Sequence, residues 1–322
     1  MKLILIAELC QNHSGNINNL YKLMDDAVGA GATHLKIQTM FADDLSHRII
    51  FDLPSHINQD GVNIKHRPYL DEYKRLKTLE LDYKSHELFL NRCDSLGVVA
   101  MTTLFNFKHL PEIKLLGFNS IKIASYDCGS PQLVQAVGEN FDNVFLSTGA
   151  SLDEEIFRAN AILENSRKKY HLLHCCTIYP TPIEKVNLSK MLALAQFTDK
   201  FGLSNHTIPN RDGLFVDFAA IFLGASVIER HFTSFSEDST RDGPISIGAE
   251  GISSLKKFAE SSPDRQREFI RSNGHLFKLI LGTCTEGLSS EELSNRLYYR
   301  GRFCNKTKNG EVFNWEYEYK SI

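Results

Sequence analysis

Short apolar runs alternate with longer amphipathic stretches along this chain. Eight runs rich in Ile, Val and Leu recur, at residues 3–9, 33–38, 98–103, 119–125, 143–148, 170–176, 200–205 and 225–232. Runs of this length and composition predict buried β-strands.

Helical periodicity fills most of the intervals between these runs. In "NINNLYKLMDDAVGAGA" (16–32) the apolar residues keep spacings of three and four, and "SLDEEIFRANAILENS" (151–166) opens with a serine and an acidic first turn. Eight β/α alternations predict an α/β fold with a parallel sheet, and eight is the number that closes a (β/α)8 TIM barrel. We assign the barrel to residues 1–282 and a short, partly β tail to residues 283–322.

Two connections are too long for simple turns. Residues 40–76 run from the second strand to the next helix, and residues 233–249 follow the eighth strand. Both leave the carboxyl ends of strands, which form the active face of such barrels, so we expect both to be functional.

Composition narrows the class of protein. The 322 residues are 42% hydrophobic and 23% charged, and 36 Lys+Arg against 39 Asp+Glu give a net charge of −3. This balance argues against partners such as nucleic acid or an anionic membrane. No apolar stretch approaches the ~20 residues of a membrane span, and no signal-peptide cleavage site follows the first run. Seven cysteines without a CxxC pair indicate reduced thiols in a cytoplasmic protein.

Polar side chains unsuited to a core collect where the predicted strands end. They come from all eight strands and are Glu8, Lys36, Gln38, Thr103, Lys122, Ser125, Asp127, Ser147, Thr148, Tyr179, Ser204, His206 and His231. A ring of such residues around one barrel mouth is the pattern of a site.

The residue types indicate what that site binds. Two imidazoles without a thiolate, His206 and His231, suit a borderline divalent ion with positions left open for substrate. Lys36 and Lys122, with Ser and Thr hydroxyls, suit a phosphate or carboxylate, and Glu8 suits acid/base work or a hydroxyl anchor. Alternation places Lys36 and Gln38 on one face, which points into the barrel if His34 points out.

With these residues assembled, the chain resembles the sialic acid synthase family over residues 2 to about 280. The matching stretches include "IAELCQNHSGN", "AGATHLKIQT", "SIKIAS", "LSTGAS", "LLHCCTIYPTP", "GLSNHT" and "LGASVIERHFT". The resemblance implies a barrel that binds a divalent metal and condenses phosphoenolpyruvate with an open-chain sugar aldehyde.

The resemblance also implies roles for individual residues. His206 and His231 would hold the metal, with Mn²⁺ expected first and Mg²⁺, Co²⁺ or Zn²⁺ as alternatives. The phosphoenolpyruvate cradle would comprise Lys36, Thr103, Lys122, Ser125, Ser147 and Ser204. Glu8, Gln38 and Tyr179 would contact the sugar, and Asp127 would take a catalytic place together with Glu8 and the histidines.

Several positions depart from the family pattern. Asp127 stands where the family usually has Glu, Asn205 replaces an Asp, and Thr177 replaces an Asn. Ile245 replaces an Asp that meets sugar hydroxyls; Asp242 is near enough in sequence to substitute for it, and residues 41–70 are long enough to form a lid.

The family's N-terminal hairpin and C-terminal antifreeze-like domain are not found, and residues 283–322 are interpreted as a remnant of the linker to that domain. We therefore expect weak activity on N-acetylmannosamine, and either a homodimer or a partner protein that supplies the missing part.

Two other functions stay open at this point. A Schiff-base aldolase would use Lys122 as its nucleophile, which requires a desolvated lysine of lowered pKa. A degenerate barrel that only binds a sugar or a partner is the second, motivated by the substitutions at the site.

Overall fold

The structure of the chain is a computed structural model that describes residues 3–285 and 287–316. Its strands are β1 (Ile4–Glu8), β2 (His34–Thr39), β3 (His56–Ile57), β4 (Asn63–Ile64), β5 (Val99–Leu104), β6 (Ser120–Ile123), β7 (Asn143–Ser147), β8 (Lys169–Cys175), β9 (Phe201–Asn205), β10 (Val227–His231), β11 (Asn305–Thr307) and β12 (Gly310–Val312).

The α-helices separate these strands along the chain. They are α1 (Ile17–Ala30), α2 (Tyr69–Lys77), α3 (Tyr83–Leu96), α4 (Leu110–Leu116), α5 (Pro131–Asn140), α6 (Asp153–Ser166), α7 (Leu188–Ala193), α8 (Pro209–Asp212), α9 (Phe215–Phe222), α10 (Ala249–Ala259), α11 (Pro263–Ser272), α12 (Gly274–Leu281) and α13 (Ser290–Tyr299).

Eight of the strands close a parallel barrel in the order β1-β10-β9-β8-β7-β6-β5-β2. Each of these strands coincides, within one or two residues, with one of the eight apolar runs, so the prediction of a (β/α)8 barrel is confirmed. No helix in the described part of the chain is long and apolar enough to cross a membrane.

Local sequence signals set the ends of the predicted helices. Helix α1 begins after Asn16, whose side-chain oxygen accepts the backbone N–H of Asn18 at 2.8 Å, and ends at Gly31, where φ is +111°. Helix α6 has the predicted acidic first turn, but its N-cap is Leu152 and not the serine before it. The hydroxyl of Ser151 instead donates to the backbone oxygen of Ser125 at 3.2 Å.

The contacts divide the chain into two compact units. The first falls within Met1–Ile37, Asn91–Met101 and His171–Glu286, and the second within Gln38–Leu90, Thr102–Tyr170 and Gly287–Ile322. In the first unit, Gly202 on β9 approaches the backbone oxygen of Val227 on β10 so closely that a Cβ atom would lie 2.1 Å from it. Only glycine fits there.

The long segment after β2 is more ordered than the sequence predicts. Within residues 40–76 lie the hairpin β3–β4 and most of α2, which begins at Tyr69 and not after residue 76. Phe51 and Ile64 of this segment form an apolar cluster with Tyr298 of α13, and the Ser294 hydroxyl donates to the backbone oxygen of Asn63. The segment and the C-terminal residues thus fold together within the second unit.

The predicted partly β tail is present as the hairpin β11–β12, which follows α13. Phe303 packs with Met40, Leu45 and Leu76 in a second apolar cluster of the same unit. Residues 317–322 of the tail lie outside the described residues. The division into a barrel domain (1–282) and a linker remnant (283–322) stays a prediction.

Candidate functional site

Several sequence-predicted site residues lie at, or just beyond, the carboxyl ends of their strands, whereas Lys36 and Lys122 lie within β2 and β6. Glu8, Ser147 and His231 are the last residues of β1, β7 and β10, and Ser125 follows β6 by two positions. The carboxyl ends of barrel strands are where such folds place their chemistry.

In the first unit, the polar residues of β1, β2 and β10 form a buried ion cluster. Lys36 Nζ contacts Glu8 Oε2 and lies 3.1 Å from Glu229 Oε2. The Ser204 hydroxyl donates to Glu229 Oε1 at 2.8 Å, and the backbone N–H of Cys10 donates to Glu8 Oε1 at 2.6 Å. Parallel pairing explains the cluster, because Glu8 is paired with Lys36, and Ser204 with Glu229, in the strand registers.

This cluster fixes the charge state of Lys36. Burial by itself would lower the lysine pKa, but the carboxylates of Glu229 and Glu8 outweigh burial and raise it above its ordinary value. Lys36 is therefore an ammonium at neutral pH. Its role as a phosphoenolpyruvate ligand stays a prediction. In the structure Lys36 is already paired with two carboxylates, those of Glu8 and Glu229.

His34 shares the strand face of Lys36, since the two residues are two positions apart on β2. The condition set in the sequence analysis, that His34 points to the opposite side, is therefore wrong. Burial lowers the pKa of His34 to about 4, so its ring is neutral at physiological pH.

The two predicted metal ligands lie side by side. The ring centroids of His206 and His231 are 5.2 Å apart, and the ring of Tyr179 meets that of His206 edge-on at 4.6 Å. The Nδ1 atom of His231 is buried and has no hydrogen-bond partner among the described residues. Metal binding by this pair stays a prediction.

Next to His231 the structure places Cys10 and Asp242, which are 232 positions apart in the sequence. Cys10 Sγ lies 2.9 Å from Asp242 Oδ2, and that oxygen lies 4.0 Å from His231 Nδ1. One ligand atom from each of the three residues falls within 4.8 Å of the others. The description of the site as imidazoles without a thiol was therefore incomplete. Burial raises the pKa of the Cys10 thiol, and the Asp242 and Glu8 carboxylates raise it further.

A second buried network holds the chain segment that carries His206. Asn205 donates through Nδ2 to Asp217 Oδ1 at 3.0 Å and accepts the backbone N–H of Thr207 at 3.1 Å. The buried guanidinium of Arg230 donates to the backbone oxygens of Asn205 and Thr207, both at 3.2 Å. The neutral amide of Asn205 suits this place because it donates to Asp217, a buried carboxyl group whose pKa burial raises.

In the second unit, four predicted cradle residues are buried near the ends of β5, β6 and β7. Lys122 is 4% exposed and Thr103 is 2% exposed. The Ser125 hydroxyl accepts the backbone N–H of Gly149 at 3.2 Å, whereas the buried Ser147 hydroxyl has no hydrogen-bond partner among the described residues. A buried hydroxyl without a partner is costly unless a ligand or water satisfies it. Substrate binding by these residues stays a prediction.

Asp127, a predicted catalytic residue of the same unit, is held by the C-terminal residues. Asn314 Nδ2 donates to Asp127 Oδ1 at 2.9 Å and to the Phe105 backbone oxygen at 2.9 Å, and the Ser130 hydroxyl donates to Asp127 at 3.1 Å. Burial raises the pKa of Asp127 to about 6, although these donors act in the opposite direction. A carboxyl group with this pKa is suited to proton transfer near neutral pH.

Sequence reasoning missed Glu229 and Cys10. A signal for Glu229 exists, because it lies two positions before His231 in "VIERH" and therefore shares its strand face. Cys10 gives no comparable signal, since it lies beyond the end of β1 and is 232 residues from Asp242.

The chain is similar in sequence to enzymes that make nonulosonic acids. The sequence profile of the NeuB family matches residues 23–263. A pseudaminic acid synthase of Campylobacter jejuni is 28% identical over 98% of this chain and 85% of its own length. An N,N'-diacetyllegionaminic acid synthase of the same species is 30% identical over 79% of this chain and 74% of its own length.

Solved structures support the same fold. The N-acetylneuraminic acid synthetase of Leptospira borgpetersenii, crystallised with citrate, superposes with a TM-score of 0.68 at 23% identity and covers 92% of each chain. The spore coat polysaccharide biosynthesis protein SpsE of Bacillus subtilis gives a TM-score of 0.70 at 21% identity, over 92% of this chain and 77% of that one. The profile match spans most of the barrel, and the chain therefore belongs to the NeuB family.

Proposed function

We propose that this chain condenses phosphoenolpyruvate with the aldehyde of an open-chain sugar, giving a nonulosonic acid and inorganic phosphate. In this reaction C3 of phosphoenolpyruvate forms a bond to the aldehyde carbon, water adds at C2, and the C2–O bond to phosphate breaks. The relatives named as pseudaminic and legionaminic acid synthases support this class of product.

One observation carries the proposal: fixed charges and two adjacent imidazoles lie in one unit at the carboxyl ends of β1, β2, β9 and β10. Lys36 is held by Glu8 and Glu229, and His206 lies beside His231. A fixed cation suits a reaction in which phosphate is carried and released, because it needs no reorganisation as charge moves.

The residues present also fit a divalent metal. His231 offers a buried Nδ1 atom with no partner in the described structure, and the ring of His206 is adjacent. When bound there, a divalent ion supplies Lewis-acid polarisation of the aldehyde carbonyl. Manganese as that ion, and a cytoplasmic location of the enzyme, stay predictions.

Side chains of the protein are proposed to orient Lys36 and bind the sugar. Glu8 and Glu229 orient Lys36, and their carboxylate oxygens are proposed to accept hydrogen bonds from sugar hydroxyls. Tyr179 is 40% exposed, its ring contacts that of His206, and its hydroxyl is proposed to bind the sugar. Asp127 of the second unit, with its pKa near 6, is suited to proton transfer near neutral pH, and its catalytic role stays a prediction.

Phosphate release tests the proposal. Purified protein is incubated with phosphoenolpyruvate, a divalent cation and a panel of aldoses and N-acetylated hexosamines, and any product is identified by its mass. We expect sugar-dependent phosphate release and a product heavier than the sugar by the pyruvate unit. His206→Ala and His231→Ala should abolish it while the circular dichroism spectrum is retained.

The same preparation distinguishes the alternatives. Borohydride trapping of pyruvate on Lys122 would establish a Schiff-base aldolase and overturn the proposal. Binding of a sugar without any phosphate release across the panel would favour the binding-only barrel.

A further inference from the structure

We propose that Cys10 and Asp242 are ligands of the metal held by His231 and His206, and that the Cys10 thiolate selects zinc, iron(II) or cobalt(II) over manganese and magnesium. The inference rests on the proposed metal site. It adds to that site two ligands of different chemistry.

The first support is the geometry around His231. Cys10 Sγ, Asp242 and His231 each present a ligand atom within 4.8 Å of the other two. Ligand atoms around a tetrahedral zinc ion lie about 3.3–3.8 Å apart, as follows from zinc–ligand bonds of about 2.0–2.3 Å. The Cys10 Sγ–Asp242 Oδ2 distance of 2.9 Å is shorter than this spacing, and the Asp242 Oδ2–His231 Nδ1 distance of 4.0 Å is longer.

The second support is that the backbone aims Cys10 at this point. Cys10 has φ of +41°, a left-handed conformation that residues other than glycine rarely adopt. Its N–H donates to Glu8 Oε1, so the turn is fixed to the end of β1. Strained non-glycine residues of this kind concentrate at functional sites.

The third support is a bridge that holds the two loops together. Asn12 Nδ2 donates to the Phe232 backbone oxygen at 2.8 Å and to the Ser246 hydroxyl at 2.9 Å, while Thr240 donates to Asn12 Oδ1. The Ser246 hydroxyl in turn donates to the Asp242 backbone oxygen at 2.7 Å. Asn12 therefore fixes the loop after β1, with Cys10, to the loop after β10, with Asp242. Outer groups that orient ligands in this way are typical of metal sites.

The donor set decides the metal. Thiolate sulfur favours zinc, iron and cobalt, whereas magnesium and manganese prefer oxygen donors. The converging atoms belong to one thiol, one carboxyl group and the His231 imidazole, with the His206 ring adjacent, so the proposed site differs from one of two imidazoles alone by its sulfur. Binding also requires the Cys10 thiol to lose its proton, which is released to solvent.

A second thiol provides a matched control. Cys175 Sγ lies 3.8 Å from His206 Nδ1 and is buried, like Cys10, in the first unit. The ligand atoms that converge come from Cys10, Asp242 and His231, and the ring of His206 lies beside that of His231. Cys175→Ser therefore removes a neighbouring thiol of similar burial without removing the proposed ligand.

The test uses the full chain, stripped with a chelator and reloaded with Co²⁺ or Zn²⁺. Visible d–d absorption reports cobalt at the site, and an intense near-ultraviolet thiolate-to-cobalt band reports a sulfur ligand. We expect the band in the wild type and in Cys175→Ser, and its loss in Cys10→Ser. Cys10→Gly serves as a second variant that tolerates the positive φ, so that folding is preserved.

Metal content gives the second readout. Zinc affinity should fall roughly tenfold or more in Cys10→Gly and in Asp242→Asn, as expected for loss of a group that a metal site uses. The ratio of zinc to manganese bound, measured by elemental analysis, should fall in Cys10→Gly. Retention of the charge-transfer band in Cys10→Gly, or its absence from cobalt-loaded wild type, would overturn the proposal.

The outcomes separate this inference from the proposed function. A cobalt site without the sulfur band, in a protein that still releases phosphate, rejects Cys10 and leaves the condensation intact. A sulfur-ligated cobalt site in a protein that releases no phosphate with any sugar supports Cys10 as a ligand and rejects the condensation.

Discussion

Replacing Lys36 by Met should destabilise the protein far more than loss of an ordinary surface ion pair. Lys36, Glu8 and Glu229 are 3%, 1% and 4% exposed, so the substitution leaves two carboxylates buried without their cation. Removing one partner of a buried pair costs about 3–5 kcal/mol. Chemical denaturation followed by circular dichroism measures the loss.

The chain offers a matched surface control. Lys22 Nζ lies 2.8 Å from Asp26 Oδ2, but the two side chains are 54% and 36% exposed. Exposed pairs of this spacing on a helix contribute about 0.3–0.5 kcal/mol. Lys22→Met should therefore shift the denaturation midpoint only slightly.

A double-mutant cycle then tests the electrostatic cause. In the wild type, Glu229→Gln removes a charged hydrogen bond and should cost about 1.5–3 kcal/mol. In the Lys36→Met background the same change neutralises an unpaired buried carboxylate and should be stabilising. A Glu229→Gln effect of the same sign and size in both backgrounds, or a Lys36→Met loss no larger than that of Lys22→Met, would refute the reasoning.

Three further predictions follow from the buried charges. Lys122→Met should raise the Michaelis constant for phosphoenolpyruvate tenfold or more in the phosphate-release assay, since a charge-assisted contact contributes about 1.5–3 kcal/mol; an unchanged constant contradicts the assignment. The pKa of Asp127 is about 6 when folded and about 3.9 when unfolded, so its contribution to stability decreases as the pH rises from about 4 to 6. Asp127→Asn should therefore gain stability relative to wild type over that window in urea titrations, and a parallel pH dependence of the two proteins would disprove this. Asn205→Asp should place a second carboxyl group against Asp217, whose pKa is already raised by burial. Thermal denaturation should show a larger loss of stability at pH 7 than at pH 5, and equal losses would exclude carboxylate repulsion as the cause.

Strand positions account for what the sequence could predict. Each barrel strand is a short apolar run with flanking turn residues. Side chains alternate between the two faces of a strand, so the position of a residue in the run fixes its face. For this reason Glu8, Lys36 and His231 could be placed at strand ends without a structure. Glu229 was accessible by the same alternation and was overlooked.

Loop positions could not be predicted in this way. The hydrogen bond between Cys10 and Asp242 joins residues 232 positions apart, and the contact of Asn314 with Asp127 spans 187 positions. A loop has no periodicity that fixes the direction of a side chain. Its position depends on tertiary partners such as Asn12, which gives no signal of that role in the sequence.

Site residues on strands and site residues on loops are held in different ways. The ion cluster of Lys36, Glu8 and Glu229 is carried by paired strands, so its geometry is set by barrel closure. Cys10 and Asp242 are carried by loops joined through side-chain hydrogen bonds. Substitution in these loops alters the ligands offered to a metal without moving the strands. Under these proposals, residues on the strands bind the phosphoenolpyruvate anion, and residues on the loops that follow β1 and β10 select the metal.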